Sequence, residues 1–93
     1  MLTGDQIAAA RKLAGIKTQA DLAARSGVSE PAIARAEAAG SNFPGMQTTN
    51  MVKIVRALEA AGAEFALESG ASLAGGVSIR VRGGSSKAWM TIK

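Results

Sequence analysis

The sequence predicts an α+β fold, with four short helices over residues 1–62 followed by a small antiparallel β-sheet over residues 63–93. Two observations predict it. Apolar residues recur every three or four positions as far as Gly62, in segments opened by capping residues, and thereafter at every second position. Glycine and serine then cluster at 69–76 and 83–86, where they set turns between three short alternating segments.

Each predicted helix carries its own start signal. Thr3-Gly4-Asp5-Gln6 is a capping box: the threonine hydroxyl accepts from the Gln6 amide while the glutamine side chain reaches back. Leu2 and Ile7 stand where a hydrophobic staple places them, and Ile7, Ala10, Leu13 and Ala14 form the inward stripe that Gly15 ends. Thr18 caps a second helix, with Asp21 in its electropositive first turn and Leu22 and Ala23 facing inward. Gly27 supplies the left-handed residue that stops it. Ser29 caps a third helix, Val28 and Ile33 staple its start, and Pro31 falls in the first turn, where a missing N–H does no harm. A loop over 39–47 leads to a fourth helix that begins near Thr48 or Thr49. Val52, Ile54, Val55, Leu58 and Ala61 are its predicted inward residues, and Gly62 ends it. The stretches 63–68, 77–82 and 87–92 read as strands, too short to stand without packing on the helices or on another chain.

Composition narrows the function classes. Ninety-three residues make one domain with an appendage, 1–62 and 63–93. The apolar fraction is 47%, yet only two phenylalanines and one tryptophan are aromatic, so the core is thin and a second copy of the chain would help complete it. With neither cysteine nor histidine, disulfides, zinc fingers, thiolate catalysis and histidine general-base catalysis are all excluded. No carboxylates cluster either, so neither an enzyme nor a metal or cofactor site is expected. No apolar run approaches the roughly 20 residues of a membrane span and no signal-peptide pattern opens the chain; a cytoplasmic protein without membrane contact is expected. A net charge of +4 and a pI near 10.1 favour nucleic acid as partner. Residues 1–48 hold five basic and four acidic groups, and residues 49–93 hold six and three. The first half therefore has to bind through a few placed cations and neutral donors.

The second and third helices satisfy a demanding pattern. A helix-turn-helix needs two short helices joined by a tight turn, so that the second can lie in the major groove. Counting Gln19 as position one, the small residue at five is Ala23, the turn glycine at nine is Gly27, and the apolar residues at four, ten, fifteen and eighteen are Leu22, Val28, Ile33 and Ala36. The motif spans residues 19–38.

Thr18 to Glu37, T-Q-A-D-L-A-A-R-S-G-V-S-E-P-A-I-A-R-A-E, resembles the Cro and phage-repressor (XRE) family, whose pattern runs T-Q-x-x-L-A-x-x-x-G-V-S-x-x-x-I-x-x-x-E. The resemblance covers residues 4–62, and the sequences L-E-A-A-G-A-E-F and G-G-V-S-I-R-V-R also look like the tail of short prophage-type members. It implies a four-helix lambda-repressor-like domain and sequence-specific binding of double-stranded DNA by a homodimer, usually as a repressor. It also implies that Gln19 touches the DNA backbone and braces the reading helix, and that Arg11 and Glu37 pair to tie the third helix to the first. Gly15 to Gln19 is one residue longer than the usual family spacing.

Residue chemistry completes the expectation. Glu30, Pro31 and Arg35 project from the first two turns of the third helix, where base edges are read. Arg35 offers two donors to guanine O6 and N7, with a phosphate or solvent as the alternative; Glu30 can accept from cytosine N4 or exclude wrong bases; Pro31 can only pack, for instance on a thymine methyl. Lys17, Thr18, Gln19, Ser29, Asn42, Thr48 and Lys53 are candidate contacts to the DNA backbone, with capping or simple solvation as the plainer reading of each. Phe65, Leu67, Val77, Ile79, Val81 and Trp89 are candidates for a core or a dimer interface, and Arg80 and Arg82 for a solvated strand face. The alternative to a plain regulator is an antitoxin-like module whose C-terminal strands bind a partner protein while the helices bind promoter DNA.

Overall fold

A computed structural model describes residues 2–67, 77–81 and 90–92, with side chains described for residues 2–63 and 65. Four helices follow in order: α1 (Gly4–Leu13), α2 (Gln19–Ser26), α3 (Glu30–Ala38) and α4 (Thr48–Ala60). The first three begin where their capping residues place them. Both halves of the capping box on α1 form, Gln6 N–H donating to Thr3 Oγ1 at 3.2 Å and Thr3 N–H to Gln6 Oε1 at 2.9 Å. Thr18 Oγ1 accepts from the Asp21 amide at 3.0 Å and Ser29 Oγ from the Ala32 amide at 3.4 Å. Gln47 precedes α4 without a side-chain cap bond.

Packing closes one core among these helices. The fully buried large side chains are Ile7 on α1, Leu22 on α2, Ile33 on α3, Ile54 and Leu58 on α4, and Ile16 in the link between α1 and α2. α1 and α2 each pack on α3, and α2 also packs on α4. The predicted inward face of α4 needs one correction. Val52 is 39% exposed, and Met51, at 4%, takes the inward place. Met51, Ile54, Val55 and Leu58 fall at i, i+3, i+4 and i+7, a stripe that turns Val52 about 100° away from the core.

The α+β expectation is also corrected. Of the residues whose side chains are described, 63% are helical and 3% are strand, which makes the class that of a four-helix domain rather than an α+β fold. Past Gly62 the described backbone consists of β1 (Ala63–Leu67), β2 (Val77–Val81) and β3 (Met90–Ile92), paired antiparallel in the order β1-β2-β3. Only Ala63, at 1% exposure, and the partly buried Phe65 join the described core from this segment. Period-two alternation reports a locally extended chain; it does not report whether that chain forms a core-bearing layer.

Close approach fixes α1 against the C-terminal end of α3. A Cβ built on Gly4 would lie 2.5 Å from the Ala36 carbonyl oxygen, 2.7 Å from that of Glu37 and 2.7 Å from the Gly40 nitrogen, all backbone atoms. The gap is closed by hydrogen bonds from Gly4 N–H to Asn42 O at 3.1 Å and from Asp5 N–H to Gly40 O at 2.8 Å. The Asn42 and Gly40 carbonyls thus satisfy two first-turn amides of α1 that have no partner within the helix. Gly4→Ala is expected to destabilise the domain by about 1–3 kcal/mol through overpacking, against a helix-propensity gain of about 1 kcal/mol. Thermal unfolding measures the balance, and a rise in Tm would refute the close approach.

Candidate nucleic-acid interface

The α2–α3 unit is built from short-range chemistry. Gly27 ends α2 at φ +77°, a left-handed conformation that side chains with a Cβ rarely adopt. Its amide closes back on Ala23 O at 2.9 Å, and Val28, 4% exposed, then drops into the core just before the Ser29 cap. Leu22, Ile33 and Ala36 are buried and Ala23 is half-buried against the same cluster. All six positions that the spacing assigned to packing or turning therefore do so.

A polar cluster holds this unit to α1. Arg11 grips Glu37 bidentately, Nε to Oε2 at 2.8 Å and Nη2 to Oε1 at 3.1 Å, with both side chains under a tenth exposed. Its remaining nitrogen, Nη1, donates to the carbonyls of Ile16 at 3.1 Å and Lys17 at 2.9 Å. Gln19 Nε2 donates to Glu37 Oε1 at 3.1 Å, so Glu37 collects bonds from both α1 and α2. Arg11 and Glu37 thus stand paired as the resemblance implied, and Gln19 braces α3 by a direct bond. No buried side-chain nitrogen or oxygen among the described residues lacks a hydrogen-bond partner.

Outside this cluster the face is open. Glu30, Pro31 and Arg35 are exposed on α3, and Lys17, Thr18, Ser29, Asn42, Thr48 and Lys53 are exposed around it, while Gln19 is half-buried. Thr18 and Ser29 already accept a backbone amide each, which leaves their hydroxyl hydrogens to donate outward. Asn42 also serves the fold through its carbonyl, as does Lys17 through the bond from Arg11. The Asp21–Arg25 pair at 3.0 Å is exposed and contributes little to stability.

Sequence reasoning passed over two residues here. Gln47 and Asn50 border a concavity beside α3 together with Arg35 and the Pro44–Met46 loop. Amide side chains are the readers suited to adenine, so their type was the available signal, but the fold was needed to bring them beside Arg35. Among the interface candidates of the C-terminal segment, Phe65 is half-buried against the helical core of its own chain. The register pairs Phe65 with Ile79, Leu67 with Val77 and Ala63 with Val81. The side chains of Leu67, Val77, Ile79 and Val81, and Trp89, Arg80 and Arg82 as side chains, lie outside the described residues. No described helix is long and apolar enough to cross a membrane. No protein-family model matches this chain, and no curated protein matches it.

Removing one member of the buried pair strands the other. Glu37→Ala is expected to cost about 3–5 kcal/mol in urea unfolding, because Arg11 keeps its charge in a site that water hardly reaches. Arg11→Lys is expected to be nearly as damaging, since one ammonium cannot span four acceptors in the plane that the guanidinium fork fills. Wild-type stability in either variant would show that the cluster is incidental.

Proposed function

We propose that the protein binds double-stranded DNA sequence-specifically, as a homodimeric transcriptional regulator of the cytoplasm acting as a repressor. In this reading α3 lies in the major groove. The observation that carries the reading is the way α3 is presented. Its inner side is anchored through Ile33, Ala36 and Glu37, while Glu30, Pro31 and Arg35 stand exposed on the other side. A reading helix has to be held rigidly by residues that do not themselves touch DNA. The family resemblance of residues 18–37 and the net charge of +4 support the same conclusion.

Two copies joined through residues beyond Gly62 would set their α3 helices about 34 Å apart, one turn of duplex. Exposed Lys17 and Lys53, with the hydroxyls of Thr18, Ser29 and Thr48, then serve the phosphates, and α3 serves the bases.

Selection from a random duplex pool at low salt, with the mass of the oligomer measured alongside, tests the proposal directly. Enrichment of a two-fold-related motif by a dimer is the expected outcome, and absence of any enrichment would sink it. Arg35→Ala should cost about 1–3 kcal/mol on the selected site and broaden the motif at one position. Lys17→Ala should weaken all duplexes alike and lower the slope of log affinity against log salt by about one.

A further inference from the structure

The exposed side of α3 holds few side chains able to reach a base. Between Glu30 and Ala38 the exposed residues are Glu30, Pro31, Arg35 and Ala38, and the half-buried Ala32 and Ala34 end at their Cβ atoms. Pro31 and Arg35 are four residues apart, which sets them on one face of the helix a single turn from each other. Helical side chains lean toward the N-terminus, so the long Arg35 stem is directed back over the turn that carries Pro31. An apolar ring and a guanidinium-bearing side chain thus stand exposed on one face of the helix, one turn apart.

From this juxtaposition, and resting on the DNA-binding reading above, we infer that α3 reads a methylated pyrimidine followed by guanine, a TG step in ordinary DNA. Arginine matches guanine O6 and N7 with two donors, and an apolar surface matches the C5-methyl of thymine in the same groove. One helical turn spans about 5.4 Å and one base step about 3.4 Å, and the backward lean of Arg35 brings its fork closer to Pro31 than their Cα atoms are. Thymine 5′ to guanine places its methyl beside the guanine edge on the same strand. Pro31 has no donor or acceptor on its side chain, so it favours the methyl and is indifferent to the carbonyl or amino group beyond it. A 5-methylcytosine carries the same methyl at the same position, so 5-methyl-CG should replace TG while unmodified CG should not. Glu30 does not contribute the methyl contact, because a carboxylate has no apolar end to offer.

The experiment uses the full chain and duplexes recovered from a random pool at low salt. In the tightest-binding duplex each TG step is changed in turn to UG, which removes only the methyl, then to CG and to 5-methyl-CG. The expected result is a loss of roughly fourfold on going to UG or CG at one step in each half-site, restored by 5-methyl-CG. Pro31→Ala, a change at an exposed first-turn position, should remove most of the difference between TG and UG while the guanine is still required. Arg35→Ala should remove the guanine requirement. Recovered duplexes lacking a shared TG step, or equal binding of TG and UG, would overturn the inference while leaving DNA binding intact. Failure to retain any duplex at low salt would instead overturn the reading on which it rests.

Discussion

Burying an arginine is unfavourable unless every one of its donors meets an acceptor, and Arg11 imposes that requirement on the whole domain. Its guanidinium is out of water, so the acceptors have to be brought to it. Glu37 comes from α3, and the carbonyls of Ile16 and Lys17 come from the link after α1. Gln19 then adds α2 by bonding to the same carboxylate. Three helices and a linker thus share one satisfied polar site, and none can move without leaving a buried group unpaired. Such a site typically adds less to net stability than an apolar replacement of equal volume, but it admits one arrangement of partners. It acts chiefly as a register pin.

The pin works together with the close approach at Gly4. There the first-turn amides of α1 reach the carbonyls of Gly40 and Asn42, just past the end of α3. α3 is therefore tied twice near its C-terminal end, once by side chains and once by backbone. Its start is secured differently, by the left-handed Gly27, the buried Val28 and the Ser29 cap. Ile33 and Ala36 fill the space between, so the helix is held along its inner side from one end to the other. The outer side is left without a structural duty, and it is there that Glu30, Pro31 and Arg35 stand.

This division of labour bears on the chemistry of recognition. A helix rich in alanine packs closely and turns readily, but it offers few atoms to a base pair. One arginine, one proline and one carboxylate give a short vocabulary, which suits a reader that takes part of its specificity from groups outside the helix. Gln47 and Asn50, gathered beside Arg35 by the loop before α4, are the nearest such groups. Under the proposed DNA-binding reading, affinity would come mainly from phosphates, through the exposed lysines and hydroxyls of the described residues.

Much of the helical domain was legible because its signals are local. Thr3, Thr18 and Ser29 bond amides three residues on, and Gly27 turns the chain by its own φ, so sequence neighbours are enough to identify them. The six packing positions of the α2–α3 unit followed from their spacing, and the Arg11–Glu37 pair from the resemblance. Three things were not legible. Ile16 is fully buried although it stands alone in a polar link, because Arg11 draws that link inward. Met51 rather than Val52 faces the core because the phase of α4 is set by α2 packing against it. The class of the fold was misjudged because alternation beyond Gly62 speaks for extended backbone and not for where the core closes. By itself, then, the sequence determined where helices start and stop and which residues are apolar, since those depend on contacts within about four residues. The tertiary structure alone decided what those helices bury and which of their faces remains free. That outcome rests on partners as far apart as Arg11 and Glu37, 26 positions along the chain, which meet only once the core has formed.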